Sequence, residues 1–123
     1  MMQHVLIKLK QILSTFQNFS NLLEQAGLSD LGPAKEISAA CETLAQNISV
    51  VEAYPSEARQ TSALGLEIGP IQKAISLVPF SAFDLICSYS STINDEELKQ
   101  KIVAAYYDQI NPLRSTQIKV PVR

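Results

Sequence analysis

Residues 5–26 have the sequence VLIKLKQILSTFQNFSNLLEQA, and this stretch predicts the fold. Its apolar residues recur at alternating spacings of four and three, which is typical of a helix that packs along another helix. This seam consists of Val5, Leu9, Ile12, Phe16, Phe19, Leu23 and Ala26. Gly27 follows, and glycine commonly closes a helix in a left-handed conformation. The stretch predicts a first helix with a defined end, and it holds no metal-ligand cluster or phosphate-binding loop.

A second helix with a similar seam is predicted from Ala34 to Val51. Pro33 suits a first helical position because its missing N–H is not needed there, and Pro55 ends the pattern. The seam residues are Ile37, Cys41, Leu44, Ile48 and Val51. Two helices of about 20 residues with a short loop predict an antiparallel hairpin, which we expect to be the spine of the fold.

The middle of the chain alternates apolar runs with helix-breaking residues. Ser56 predicts the start of a short helix that Gly65 closes, and a second short helix is interrupted by Pro79. Ser81 and Asp84 have the spacing of a capping box for a further helix. A continuous helix kinked at Pro79 fits the same residues.

The last helix is predicted to begin at Asn94, because three carboxylates follow and would meet the positive end of the helix dipole. Asn111-Pro112 is expected to end it. Beyond it, Ile118 and Val120 alternate with polar residues and Pro121, a period of two that favours an extended tail.

Length and composition predict one domain of the all-α class. The chain has 123 residues, of which 46% are apolar and 18% charged, and its net charge is −2. We predict a single-domain helical bundle of about five helices over residues 1–112 and an extended basic tail over residues 113–123. No apolar stretch of the length of a membrane span and no cleavable signal is recognised, so we expect a cytoplasmic protein without a membrane partner.

Few residues could carry chemistry. Cys41 and Cys87 lack a CxxC spacing and His4 is the single histidine, so we expect no metal site. We expect two buried free thiols, with a disulfide or a reactive thiol as the alternative. Asp84 is interpreted as a helix cap, with a buried carboxylate acting beside a tyrosine as the alternative. Asp95, Glu96 and Glu97 are consecutive on a helix and cannot converge on one cation. We therefore predict no cofactor, no catalytic residue and no enzyme activity.

Partner contacts are predicted in the C-terminal part of the chain. Tyr106 and Tyr107 are adjacent, so only one can lie in the core, and Tyr107 is the better candidate for an interface. The tail is expected to be mobile or to pair as an added strand with another chain. The candidate contact residues are Tyr107, Arg114, Ile118, Lys119, Val120 and Arg123.

These observations favour an interaction function. The leading hypothesis is a non-enzymatic protein–protein interaction or assembly subunit, which binds a protein partner or self-associates into an oligomer. The alternative is a small helical accessory subunit of a nucleic-acid-binding complex. In that case the two basic ends of the chain would contact phosphates. Lys8 and Lys10 lie at one end, and Arg114, Lys119 and Arg123 lie at the other.

Overall fold

The computed structural model describes residues 2–121, and this part of the chain is all-helical, with 84% helix and no strand. Four α-helices follow one another in it: α1 Met2–Gln25, α2 Gly32–Glu52, α3 Glu57–Tyr89 and α4 Glu96–Ala105. A 3-10 turn, Ser90–Thr92, separates α3 from α4. Helix α4 continues as a π-helical turn, Tyr106–Ile110, and a 3-10 helix, Asn111–Ser115. The all-α class is confirmed, but the count of about five helices is not.

Helix α1 buries the seam that its sequence predicts, except that Val5 and Ala26 at its two ends are only partly buried, and it stops where expected. Leu9, Ile12, Phe16, Phe19 and Leu23 are all buried, and Met2 and Leu6 extend the same face. Gly27 takes a left-handed backbone with φ of 75°. The N–H of Leu28 donates to the carbonyl of Leu23 over 2.9 Å, and that of Gly27 donates to Glu24 over 3.0 Å. These two bonds form a Schellman motif, which satisfies carbonyls that would otherwise lack partners.

Helix α2 also buries the seam that its sequence predicts. All five seam residues from Ile37 to Val51 are buried, together with Ala34 and Ala40. The helix packs against α1, but its most extensive contact is with α3. The expected spine of α1 and α2 therefore needs correction, because the longest helix supplies most of the surface that covers α2.

Helix α3 runs as one helix through Gly65, Pro70 and Pro79. The predicted separation into two short helices after Gly65 is wrong, whereas the alternative of one helix continuing through Pro79 is confirmed in its continuity. Ser56 caps its start as predicted, accepting a hydrogen bond from the Arg59 N–H over 3.2 Å. An internal proline costs about 3 kcal/mol, whereas each buried Ile or Leu contributes about 1.5–3 kcal/mol. The apolar face stays in register across both prolines, and its burial offsets their cost. The buried residues include Leu64, Ile71, Ile75, Val78, Ala82 and Leu85.

The predicted capping box at Ser81 and Asp84 is wrong, because both residues lie inside α3. Ser81 is buried and its hydroxyl donates to Oε2 of Glu36 over 2.8 Å, which links α3 to α2. Asp84 is exposed and its Oδ1 accepts from the hydroxyl of Ser88 over 3.4 Å. The alternative of a buried Asp84 carboxylate is therefore contradicted as well.

The last helix begins one residue later than predicted, and its helical path, which continues beyond α4 as the π-helical turn and the 3-10 helix, extends past the predicted end. The cap is Asp95, whose Oδ1 accepts from the Leu98 N–H over 3.1 Å, and not Asn94. Asn111 and Pro112 do not end the helical path, because Pro112 fits near the start of the 3-10 helix, where an N–H is not needed.

The tail is held against the bundle by Gln72 of α3. The N–H of Ile118 donates to Oε1 of Gln72 over 2.9 Å, and Nε2 of Gln72 donates to the carbonyl of Thr116 over 2.9 Å. Ile118 is only 8% exposed and belongs to the core. The expectation of a free tail with Ile118 as a partner contact is corrected, because the alternating pattern turns Ile118 inward. Arg123 lies outside the described residues.

One described segment, Glu57–Thr92, has the length and apolar composition of a membrane span, and half of its most apolar window is buried inside the bundle. Core helices of soluble proteins have the same property, so this finding leaves the cytoplasmic localisation as a prediction.

Candidate interaction surface

Helix α3 presents a low-charge face opposite the one that packs in the core. We call this face the α3 outer strip; its residues are Leu66, Pro70, Lys73, Leu77, Phe80, Asp84 and Cys87. They are spaced by four and three residues, so they form one line along the helix. Leu66 is 82% exposed and Phe80 is 74% exposed, and only Leu77 is partly buried.

An aromatic cluster adjoins the strip. The ring centroids of Phe83 and Tyr106 are 6.1 Å apart, and those of Tyr106 and Tyr107 are 4.9 Å apart in an edge-on arrangement. Tyr106 is buried, whereas Phe83 is 50% and Tyr107 is 54% exposed. The buried ring thus anchors two exposed rings, and such pairs contribute about 0.5–1.5 kcal/mol beyond the area they bury.

Arg114 lies near this cluster. Burial raises the pKa of the Tyr106 phenol, and the positive charge of Arg114 acts in the opposite direction. Arg114 is itself exposed. Two predicted contact residues, Tyr107 and Arg114, are therefore both associated with Tyr106, although their role in binding stays a prediction.

Phe80 and Leu66 are surface residues that the sequence analysis missed. Their exposure follows from the continuity of α3: a helix that keeps Ile71, Ile75 and Val78 on the core side places positions 66 and 80 opposite them. The sequence prediction ended a helix at Gly65 and left continuity through Pro79 open, so it did not fix this register.

A second group of predicted residues meets at a cleft between the N-terminal helix and the tail. His4, Val5 and Lys8 line it from α1, and Gln117, Ile118 and Lys119 line it from the tail, around a volume of about 280 Å³. The structure therefore brings together one lysine from each basic end. Lys10 is not available in the same way, because it forms an ion pair with Glu52. Val120 is partly buried and packs against the core.

The residues considered for chemistry remain separate. Within residues 2–121 no group of three His, Cys, Asp or Glu side chains could hold a metal ion. His4 is exposed, and Glu96 and Glu97 are exposed in the first turn of α4.

The two cysteines are free thiols in different environments. Cys41 is buried, and burial, with a smaller effect of Glu42, raises its thiol pKa to about 11. Cys87 is exposed on the α3 outer strip, so the prediction that it is buried was wrong. It falls on the outer side because the register of α3 is set by Ile71, Val78 and Leu85.

Comparison of the chain with protein-family models, with curated proteins and with solved structures gave no match.

Proposed function

We propose that this protein is a non-enzymatic interaction or assembly subunit that binds its partner through the α3 outer strip and the adjoining aromatic cluster. The observation that carries the proposal is the exposure of Phe80, at 74%, on the same surface as Leu66. Contiguous apolar patches are uncommon on monomeric proteins and mark interaction sites when they are large.

The scarcity of charge supports this assignment. Between Glu67 and Asp95 the chain has only two charged residues, Lys73 and Asp84, and both lie on the strip. The buried centres of protein interfaces are depleted of charge and enriched in aromatic residues. Phe80, Phe83 and Tyr107 supply rings that bury a large area while losing little conformational freedom.

The test compares two variants that each remove exposed rings. Phe80→Ser combined with Tyr107→Ser should abolish the complex, observed as co-purification from the native host or as the mass of the pure protein by light scattering. Tyr54→Ser is the control, because Tyr54 is a 41% exposed aromatic residue in the segment between α2 and α3, away from the strip, and this variant should bind normally. Circular dichroism checks that the variants remain helical.

Two results would contradict the proposal. One is equal binding by the Phe80 and Tyr54 variants. The other is a folded wild-type chain that stays monomeric and co-purifies with no protein.

A nucleic-acid accessory subunit is the second candidate, and the cleft shared by Lys8 and Lys119 is the observation that favours it. If it is correct, binding to a labelled oligonucleotide should fall steeply with salt, and Lys119→Gln should lower the salt slope by about one. Lys101→Gln is the control, since Lys101 lies on α4 beside Glu97. No binding at low salt would remove this candidate.

A further inference from the structure

We infer that the partner of the α3 outer strip is a second copy of this chain, with the two α3 helices packed antiparallel about a two-fold axis between Leu77 and Phe80. This inference rests on the proposed function and names the partner of the same surface.

The spacing of the strip is that of a coiled-coil seam. From Leu66 to Cys87 its residues alternate at intervals of four and three, and α3 is continuous over the whole distance. Such a line stays on one side of a helix when two helices pack closely along each other. The core face of α3 is already covered by α2, so the strip is the long face that a further helix could cover.

The order of residues along the strip suits a symmetric antiparallel pair. In a two-fold contact, a residue of one copy meets the residue of the other at the same distance from the axis. With the axis between Leu77 and Phe80, these two residues face each other. Pro70 then faces Cys87, and Lys73 faces Asp84.

Charge complementarity decides between the two directions. Lys73 and Asp84 are the only charged residues of the strip and have opposite signs. The antiparallel pair places each Lys73 beside the Asp84 of the other copy and forms two ion pairs, whereas a parallel pair would place like charges together. Neither residue forms an ion pair with any other residue of the described range. Glu36 lines the same groove as Lys73 without coming within 4.0 Å of its amino group.

The bulk of the flanking residues is also compatible with this arrangement. Phe83 lies on one edge of the strip, and Ser76 and Gly69 precede it on that edge at intervals of seven residues. In the antiparallel pair the residue of the other copy nearest to each Phe83 on that edge is the small Ser76, which lies about 3 Å from the level of Phe83 along the axis.

A cysteine variant tests the register directly. In Pro70→Cys, the thiol at position 70 should form a disulfide with Cys87 of the other copy under mild oxidation. The reaction should yield a covalent dimer on a non-reducing gel. Positions 70 and 87 of one chain are about 25 Å apart along the helix, too far for a bond within the chain. Cys41 does not compete, because its thiol is buried and has a raised pKa.

The matched control is Ser62→Cys, an exposed position on the same helix that lies about 12 Å further along its axis. It should give little covalent dimer, and so should the wild type, whose two Cys87 residues would be about 25 Å apart. Equal cross-linking of the two variants, or efficient Cys87-to-Cys87 cross-linking in the wild type, would overturn the register.

Charge reversal tests the ion pairs. Sedimentation equilibrium at up to about 100 μM should show a reversible wild-type dimer, because a single helix contact lies at the small end of interface sizes. Lys73→Glu should weaken dimerisation by about 5- to 30-fold, since two attractive pairs become repulsive. Adding Asp84→Lys should restore it. Failure of the double variant to recover would contradict the pairing.

The outcomes separate this inference from the proposed function. A monomeric wild type that captures a different protein, with capture lost in the Phe80 and Tyr107 variant, would overturn self-association and leave the interaction function in place. A monomer that binds phosphatidylcholine vesicles through Phe80 would overturn self-association in favour of a lipid surface. A monomer without any partner would overturn both proposals.

Discussion

The backbone N–H of Ile118 donates a hydrogen bond to the side-chain amide of Gln72 over 2.9 Å. The same amide donates to the carbonyl of Thr116 over 2.9 Å, so one side chain satisfies an acceptor and a donor of the tail backbone. A strand would normally need a neighbouring strand for this purpose. Here a helix supplies both groups, and the apolar side chain of Ile118 enters the core.

Truncation after Ser115 should therefore destabilise the protein. Truncation removes the buried Ile118 side chain and two hydrogen bonds, but it also removes the conformational entropy cost of ordering the tail. The net result should be a free energy of unfolding lower by about 2–4 kcal/mol. Urea denaturation of the truncated and full-length chains measures this difference. Gln117→Ala is the control, because Gln117 is exposed between the two bonded residues. A loss below about 1 kcal/mol would show that the tail is held only weakly.

Phe16→Ala should be among the most damaging single changes in α1. Phe16 is fully buried in the middle of the seam, and truncating a buried phenylalanine costs about 3–5 kcal/mol. Thermal and chemical unfolding should both show the loss, or the variant should fail to fold. Gln17→Ala, its exposed neighbour, should stay close to the wild type. Similar melting temperatures for the two variants would contradict the observed seam.

The start of α4 can be located by two neighbouring alanine variants. Asp95→Ala removes the side chain that accepts from the Leu98 N–H, and it should lower the free energy of unfolding by about 1 kcal/mol. Asn94→Ala should lower it by only a few tenths of that amount, since Asn94 lies outside the helix and is exposed. Urea midpoints of the two variants give the comparison. The reverse order would mean that the helix begins at the position predicted from the sequence.

The two thiols should differ strongly in reactivity. At pH 8 a thiol with a pKa of about 11 is ionised in only about one molecule in a thousand, and the Cys41 thiol is also buried. Titration of the native protein with a disulfide reagent should therefore label one cysteine per chain quickly, and Cys87→Ser should remove that reaction. Denaturation should expose the second thiol. Two fast-reacting thiols in the native protein would contradict the burial of Cys41.

The sequence by itself determined the features that depend on local periodicity and turn chemistry. The seams of α1 and α2, the stop at Gly27 and the cap at Ser56 were all predictable, because each is written in residues within one or two helical turns. The helical class followed from the same patterns. The placement of Tyr107 outside the core followed from its adjacency to Tyr106.

The tertiary structure decided whether helix-breaking residues break a helix. Pro70 and Pro79 have a local cost, but the residues on both sides of them are buried against α2, and that compensation cannot be read from the neighbouring residues. The continuity of α3 in turn set the exposure of Phe80 and Cys87, so the candidate surface was missed for the same reason. The position of Ile118 depends on Gln72, a residue 46 positions earlier in the chain, because hydrogen bonds between distant segments form only after the helices have packed.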